Sequence, residues 1–98
     1  MNRQEIIQKI ADKIKAGKVI KIHKVKNLIY GGKHWVSVGE YTPAVAGKFK
    51  MYAVISTGNN PLANWVSSRS SSPIQAAQEF VRFVGNEKAK ESLYGKIQ

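Results

Sequence analysis

Lysine is the residue type in this chain that most clearly could bind a ligand, and it is concentrated near the N-terminus. The 98 residues include 16 Lys and Arg against 6 Asp and Glu, and positions 1–26 hold eight of those cations but only two acids. So concentrated a positive field favours polyanions, with nucleic acid first and acidic protein surfaces second. Lysine outnumbers arginine thirteen to three, which favours phosphate-backbone contacts over bidentate reading of bases. The predicted phosphate contacts are Lys9, Lys13, Lys18, Lys21, Lys24, Lys26 and Lys33.

The same lysines also have explanations that need no ligand. Lys13 and Lys15 would lie near the C-terminal end of a helix, where the helix dipole favours cations. Scattered surface lysines keep a protein soluble, and lysines on an edge strand prevent pairing between molecules. Solvation and polyanion binding are therefore equally compatible with the pattern.

Aromatic residues interleaved with lysines predict a second contact surface. Strand alternation would place rings and cations on one sheet face, where bases stack on the rings while lysines follow the phosphates. The predicted members of this face are Lys21, His23, Trp35, Lys50 and Tyr52. Val19, Val25 and Val54 share the same predicted face, and their apolar character favours a covering helix or a second subunit, as in a homodimer, instead.

The Ser-rich stretch 67–72 contains one cation, Arg69. It leads into a predicted helix N-terminus, whose backbone amides favour anions, so Arg69 is a candidate phosphate contact. A flexible connector is the commoner role for a segment of this composition.

Catalysis would have to use His23 or His34, since these are the only imidazoles. His34 follows Gly31-Gly32-Lys33, where a general base acting on RNA would lie beside lysines that stabilise a phosphorane. This stretch and the element order weakly resemble the HicA-type mRNA interferase toxins, and the resemblance implies RNA cleavage with His34 as base. The double-stranded-RNA-binding domain shares the element order, but residues 72–75 replace its lysine cluster. A lone histidine on a strand is more often a surface residue, so we expect no catalytic residue and no enzyme.

Several other classes are disfavoured by composition. The absence of cysteine excludes disulfides, thiolate metal sites and thiol nucleophiles. Two histidines eleven residues apart, with few acids nearby, lack metal-ligand spacing, so we expect no metal and no cofactor. No signal-peptide pattern and no apolar run of about 20 residues is present, so we expect a cytoplasmic protein that does not contact the membrane.

The predicted helices lie at the two ends of the chain. An apolar stripe and a capping box from Asn2 to Glu5 predict a helix over residues 2–16, which Gly17 ends. The members of the stripe are Ile6, Ile7, Ile10 and Ile14. Ser72, Pro73 and Gln75 predict the start of a second helix, and Gly85-Asn86 separates it from a short helix over 87–94. The predicted buried stripe of the second helix is Ile74, Ala77, Val81 and Val84, widened by Phe80 and Phe83.

Strand patterns occupy the middle of the chain. β-Branched residues predict a strand over 19–25, extended by 28–30, with a hairpin at Gly31-Gly32 and a return strand over 34–41. A third strand is predicted over 49–56, with a short edge segment over 64–68. Alternation predicts that the third strand buries Phe49, Met51, Ala53 and Ile55.

This order predicts one α+β domain over residues 1–98, of α-β-β-β-α order. Its antiparallel sheet would have three strands, or four if the edge segment pairs, with the helices packed on one face. Our first functional hypothesis is a small non-enzymatic protein that binds DNA or RNA through a lysine-rich surface. The alternative is a protein-interaction module, such as a phage or mobile-element inhibitor that docks on an acidic host protein. An RNA-cleaving toxin is the third.

Overall fold

The fold is an α+β arrangement of three helices and a four-stranded antiparallel sheet, as predicted. The computed structural model describes residues 1–24, 34–42, 49–58 and 64–94, with only the backbone for residues 23, 24 and 34. Its elements are α1 (Arg3–Lys15), β1 (Ile20–Lys24), β2 (His34–Glu40), β3 (Tyr52–Gly58), β4 (Trp65–Val66), α2 (Pro73–Val84) and α3 (Asn86–Leu93). The predicted extension over 28–30 and the hairpin at Gly31-Gly32 lie outside the described residues.

Local signals start and end α1 as the sequence predicts. The Asn2 side chain accepts from the backbone N–H of Glu5 at 2.9 Å, and the Glu5 carboxylate accepts from the backbone N–H of Asn2 at 3.3 Å. Two orphan backbone donors of the first turn are thereby satisfied. Gly17 follows the helix with φ of 95°, a conformation that favours glycine. The predicted isoleucine stripe is buried.

The four strands pair in chain order, β1-β2-β3-β4, and every pairing is antiparallel. Ile22 lies opposite Val36, and Val38 lies between Ile20 of β1 and Val54 of β3. All five side chains are buried. Since alternate residues of a strand share a face, this row defines the side of the sheet that packs on the helices.

The predicted start of α2 is also confirmed. Ser72 accepts from the backbone N–H of Gln75 at 3.3 Å and Pro73 occupies the first turn, where its missing N–H costs nothing. One predicted core position is wrong: Ile74 is 42% exposed, and Ala76 is buried instead. Ile74 lies in the first turn of α2, at the margin of the buried stripe, whereas Ala76 lies nearer the centre of that stripe, one turn before Phe80.

One apolar core joins all three helices to one face of the sheet. Side chains of α1 and α2, together with Ala89 and Leu93 of α3, pack against β1, β2 and β3 in a single cluster. Trp65 of β4 meets Phe83 of α2 edge-to-face, with ring centroids 4.9 Å apart. The helices thus lie on the same side of the sheet, and no described helix covers the other side.

Candidate nucleic-acid interface on the open sheet face

The strand register defines the side of the sheet that faces away from the helices, here called the open face. Lys21 of β1 pairs with Ser37 of β2, which in turn pairs with Ile55 of β3. These positions alternate with the buried row of the helix side, so they point the opposite way. The described strand residues of the open face are Lys21, Trp35, Ser37, Gly39, Ala53, Ile55, Thr57 and Val66.

At one end of β2, a lysine lies over an aromatic ring. The Lys21 ammonium is 5.1 Å from the ring centroid of Trp35. Their residues are diagonal neighbours across the β1–β2 pairing, a separation that long side chains span. Lys21 is exposed and Trp35 is half-buried. The sequence prediction placed both on this face, and the structure confirms that placement.

A second pair of the same kind lies just past the other end of β2. Tyr41 extends the β2–β3 register, since its backbone N–H donates to the carbonyl of Met51 at 2.7 Å. Residue 41 therefore has the same parity as Trp35 and faces the same way. The Arg69 guanidinium lies 5.3 Å from the Tyr41 ring centroid, and residue Tyr41 is 39% exposed.

Arg69 is fixed by hydrogen bonds from its neighbours to β3. Ser70 and Tyr52 exchange two backbone hydrogen bonds, at 2.7 and 3.0 Å, and the Ser67 N–H donates to the Val54 carbonyl at 2.9 Å. Tyr52 faces the helices, so its bridge partner Ser70 does too, and Arg69 is left facing the open side. The segment is therefore held against β3, which does not fit the interpretation as a flexible connector.

The predicted face assignment of β3 is wrong. Tyr52 is only 5% exposed and lies in the core with Val54, while Phe49 is exposed and Ile55 lies on the open face. The physical reason is the pairing with β2: Val38 is on the helix side, and its partner Val54 must follow it. Tyr52 consequently offers no ring to a base.

The predicted lysine set is divided between the two sides of the sheet. Lys9 and Lys13 are exposed on α1, in the helical layer, whereas Lys21 lies on the open face. Lys18, between α1 and β1, and Lys50, before β3, are both exposed. The side chain of Lys24 and all of Lys26 and Lys33 lie outside the described residues. No single surface joins Lys9 and Lys13 to Lys21.

The carboxylates, in contrast, all lie on the helix side of the sheet. The chain has six acids, and every one of them lies in the described residues. Five belong to the helices. The sixth, Glu40, pairs with Tyr52 and therefore lies on the side of the sheet that faces the helices. The acids are Glu5, Asp12, Glu40, Glu79, Glu87 and Glu91. The open face therefore carries cations with no carboxylate among them.

Ion pairs in the described part of the chain also stay within the helical layer. Arg82 pairs with Glu79 at 2.6 Å in α2, and Lys90 pairs with Glu87 at 3.9 Å in α3. Neither pair involves the cations of the open face. Among the described residues, Lys21 and Arg69 each lie over an aromatic ring, a weak interaction that a phosphate can replace.

Tyr41 is the residue of this surface that the sequence analysis missed. A parity count from Trp35 through the end of the predicted return strand would have placed it on the open face. The contact with Arg69 was not visible, because it depends on how the Ser-rich segment pairs with β3.

The remaining predictions concern metal, catalysis and membrane. The side chains of His23 and His34 lie outside the described set, so the catalytic alternative stays a prediction. Residues 1–24, 34–42, 49–58 and 64–94 contain no cluster of three side chains suited to a metal ion. Among the same residues, no helix has the length and apolar character needed to cross a bilayer. Comparison of the chain with protein-family models, curated proteins and solved structures finds no match.

Proposed function

We propose that this chain is a non-enzymatic nucleic-acid-binding protein whose contact surface is the open sheet face. One observation carries the proposal: two aromatic rings, each with a cation about 5 Å away, lie on a face without carboxylates. Rings supply stacking platforms for bases, and cations beside them supply partners for the adjoining phosphates. A net charge of +10 fits a polyanionic ligand.

The cations over the rings do not block stacking, because a base competes well for the same ring. An exposed cation–aromatic contact is worth about 0.5–1 kcal/mol, whereas a stacked base contributes about 1–3 kcal/mol. The flexible side chain of Lys21 can leave the Trp35 ring and move to a phosphate. Displacement therefore costs less than the contacts that replace it.

The lysines of α1 have a different role in this proposal. Lys9 and Lys13 lie in the helical layer and cannot reach a ligand on the far side of the sheet. Their charge adds to the long-range field that attracts a polyanion, a contribution that salt screens over about 10 Å at 0.1 M. They are expected to affect the association rate more than the number of phosphate contacts.

A protein partner is the second candidate, and two exposed valines favour it. Val19 is 63% exposed; its Cγ2 lies 3.1 Å from where a Cβ on Gly39 would be, which places it on the open face. Val66 is on the same face and also exposed. Exposed aliphatic side chains rimmed by cations fit an acidic protein with an apolar centre.

A matched pair of double variants tests the proposed function. Fluorescence anisotropy with a labelled single-stranded 20-mer, repeated over a range of salt, gives the affinity and its salt slope. Lys21→Gln with Arg69→Gln should weaken binding and reduce the log–log slope by about 1.4, since single strands release about 0.7 counterions per contact. Lys9→Gln with Lys13→Gln removes the same charge from the other side and should leave the slope nearly unchanged.

Two outcomes would overturn the proposal. Equal losses in the two double variants would show that only net charge matters, and binding insensitive to salt would remove the phosphate contacts altogether. A pull-down with and without nuclease distinguishes a protein partner from nucleic acid. A protein that stays bound after nuclease treatment, and is lost in the Lys21/Arg69 variant, would identify the open face as a protein-docking surface.

A further inference from the structure

The two cation–aromatic pairs lie near opposite ends of β2. Trp35 lies on β2 and Tyr41 directly follows that strand, six residues along the chain and on the same face. At a rise of about 3.3 Å per residue, their backbone positions are separated by roughly 20 Å. Between them lie Ser37, which is half-buried, and Gly39, which is covered by the exposed side chain of Val19. The open face thus offers two separate stacking platforms, with Ser37 and Val19 between them at the surface.

A single strand can use both platforms, whereas a duplex cannot. Each ring needs a base whose face is free, and the bases of a double helix are already stacked and paired inside it. A single strand can turn one base onto each ring and lay the intervening nucleotides over Ser37 and Val19. Lys21 and Arg69 then meet phosphates near the two rings.

We infer that the open face binds single-stranded nucleic acid in a bivalent manner, with Trp35 and Tyr41 as two separate base anchors. The inference rests on the proposed function and specifies its ligand. Roughly 20 Å corresponds to about six steps of 3.4 Å, hence about seven nucleotides, in a stacked strand, and to fewer nucleotides in the extended strand that turns its bases onto the two rings. A dinucleotide can occupy one anchor only, so affinity should rise abruptly once the ligand bridges both.

The stacking platforms also predict weak sequence selectivity. Every base has a face that can stack on a ring, and neither Ser37 nor Val19 offers the bidentate groups that read base edges. DNA and RNA strands of equal length should therefore show the same length dependence.

A length series tests the inference. Labelled oligothymidylates and oligouridylates of 2, 3, 4, 6 and 10 nucleotides are titrated with protein at one fixed salt concentration. We expect affinity to rise at least tenfold across one or two steps between 2 and 6 nucleotides, because the second anchor then binds at high effective concentration. From 6 to 10 nucleotides the increase should be only a few-fold.

Tyr41→Ala supplies the decisive comparison. Tyr41 is exposed beyond the end of β2, so the variant is expected to fold, and circular dichroism checks this. It should remove the abrupt rise while leaving dinucleotide affinity within about twofold, since one anchor remains at Trp35. Arg69→Gln, which keeps the Tyr41 ring, should retain the rise and lower affinity at every length that reaches residue 41.

The results separate the inference from the proposed function. No measurable binding at any length would refute both. Salt-dependent binding that rises smoothly with length, with the same profile in Tyr41→Ala, would leave nucleic-acid binding standing and overturn the two-anchor inference. Duplex binding as tight as that of a single strand of equal length would also overturn it.

Discussion

Two tyrosines with opposite environments give the sharpest test of how β2 and β3 are oriented. Tyr52 is buried among the core side chains, and Tyr41 is exposed beside Arg69. The perturbation is Tyr→Ala at each position in turn. If the register is right, the first change should act on stability and the second on affinity.

The expected magnitudes differ enough to be separated. Removing a buried aromatic ring costs about 3–5 kcal/mol, a large part of the roughly 5–15 kcal/mol that stabilises a typical domain. For a chain of this size, Tyr52→Ala should therefore lower the Tm by at least about 12 °C. Tyr41→Ala should change stability by no more than about 1 kcal/mol. Its loss of about 1–3 kcal/mol of stacking should weaken the binding of a single-stranded 10-mer by about 5- to 150-fold.

Thermal and urea unfolding followed by circular dichroism give the stabilities, and anisotropy at a temperature where each variant is folded gives the affinities. Tyr52→Phe is the control, because it keeps the ring and should retain most of the stability. Suppose instead that Tyr52→Ala bound the 10-mer weakly with an unchanged Tm. The ring of Tyr52 would then be at the surface, and the face assignment of β3 would have to be reversed.

Two further variants test the helix start and the charge distribution. Ser72→Ala should reduce the free energy of unfolding by about 1 kcal/mol, because the side-chain cap to the Gln75 N–H is lost. The control is Ser71→Ala at an exposed site, and a urea midpoint of Ser72→Ala equal to that of the control and of wild type would contradict the prediction. Ser37→Glu should weaken single-strand binding on the order of tenfold, since it puts a carboxylate opposite Lys21, where the nucleotides between the two anchors would lie. Affinity equal to that of the uncharged control Ser37→Gln would count against this placement of the strand.

The parts of the fold predicted correctly are those decided by neighbours in sequence. The capping box of α1 joins Asn2 to Glu5, and the cap of α2 joins Ser72 to Gln75, so both are readable from short windows. The orientation of β3 could not be read in this way. Tyr52 and Val54 point to one face of the sheet and Ala53 and Ile55 to the other, and both pairs are apolar. Only the pairing with β2 decides between them, and that contact is not local.

The candidate site shows the same limit in its electrostatics. The density of lysine in residues 1–26 predicts a basic surface, yet the structure places Lys9 and Lys13 on one side of the sheet and Lys21 on the other. A surface potential depends on both signs of charge, so the position of the carboxylates matters as much as the position of the lysines. All six acids belong to the helices or to the helix side of β2, and the open face is left with cations alone. The asymmetry that points to a polyanion therefore arises from where the few acids are held, and a count of lysines along the chain could not reveal it.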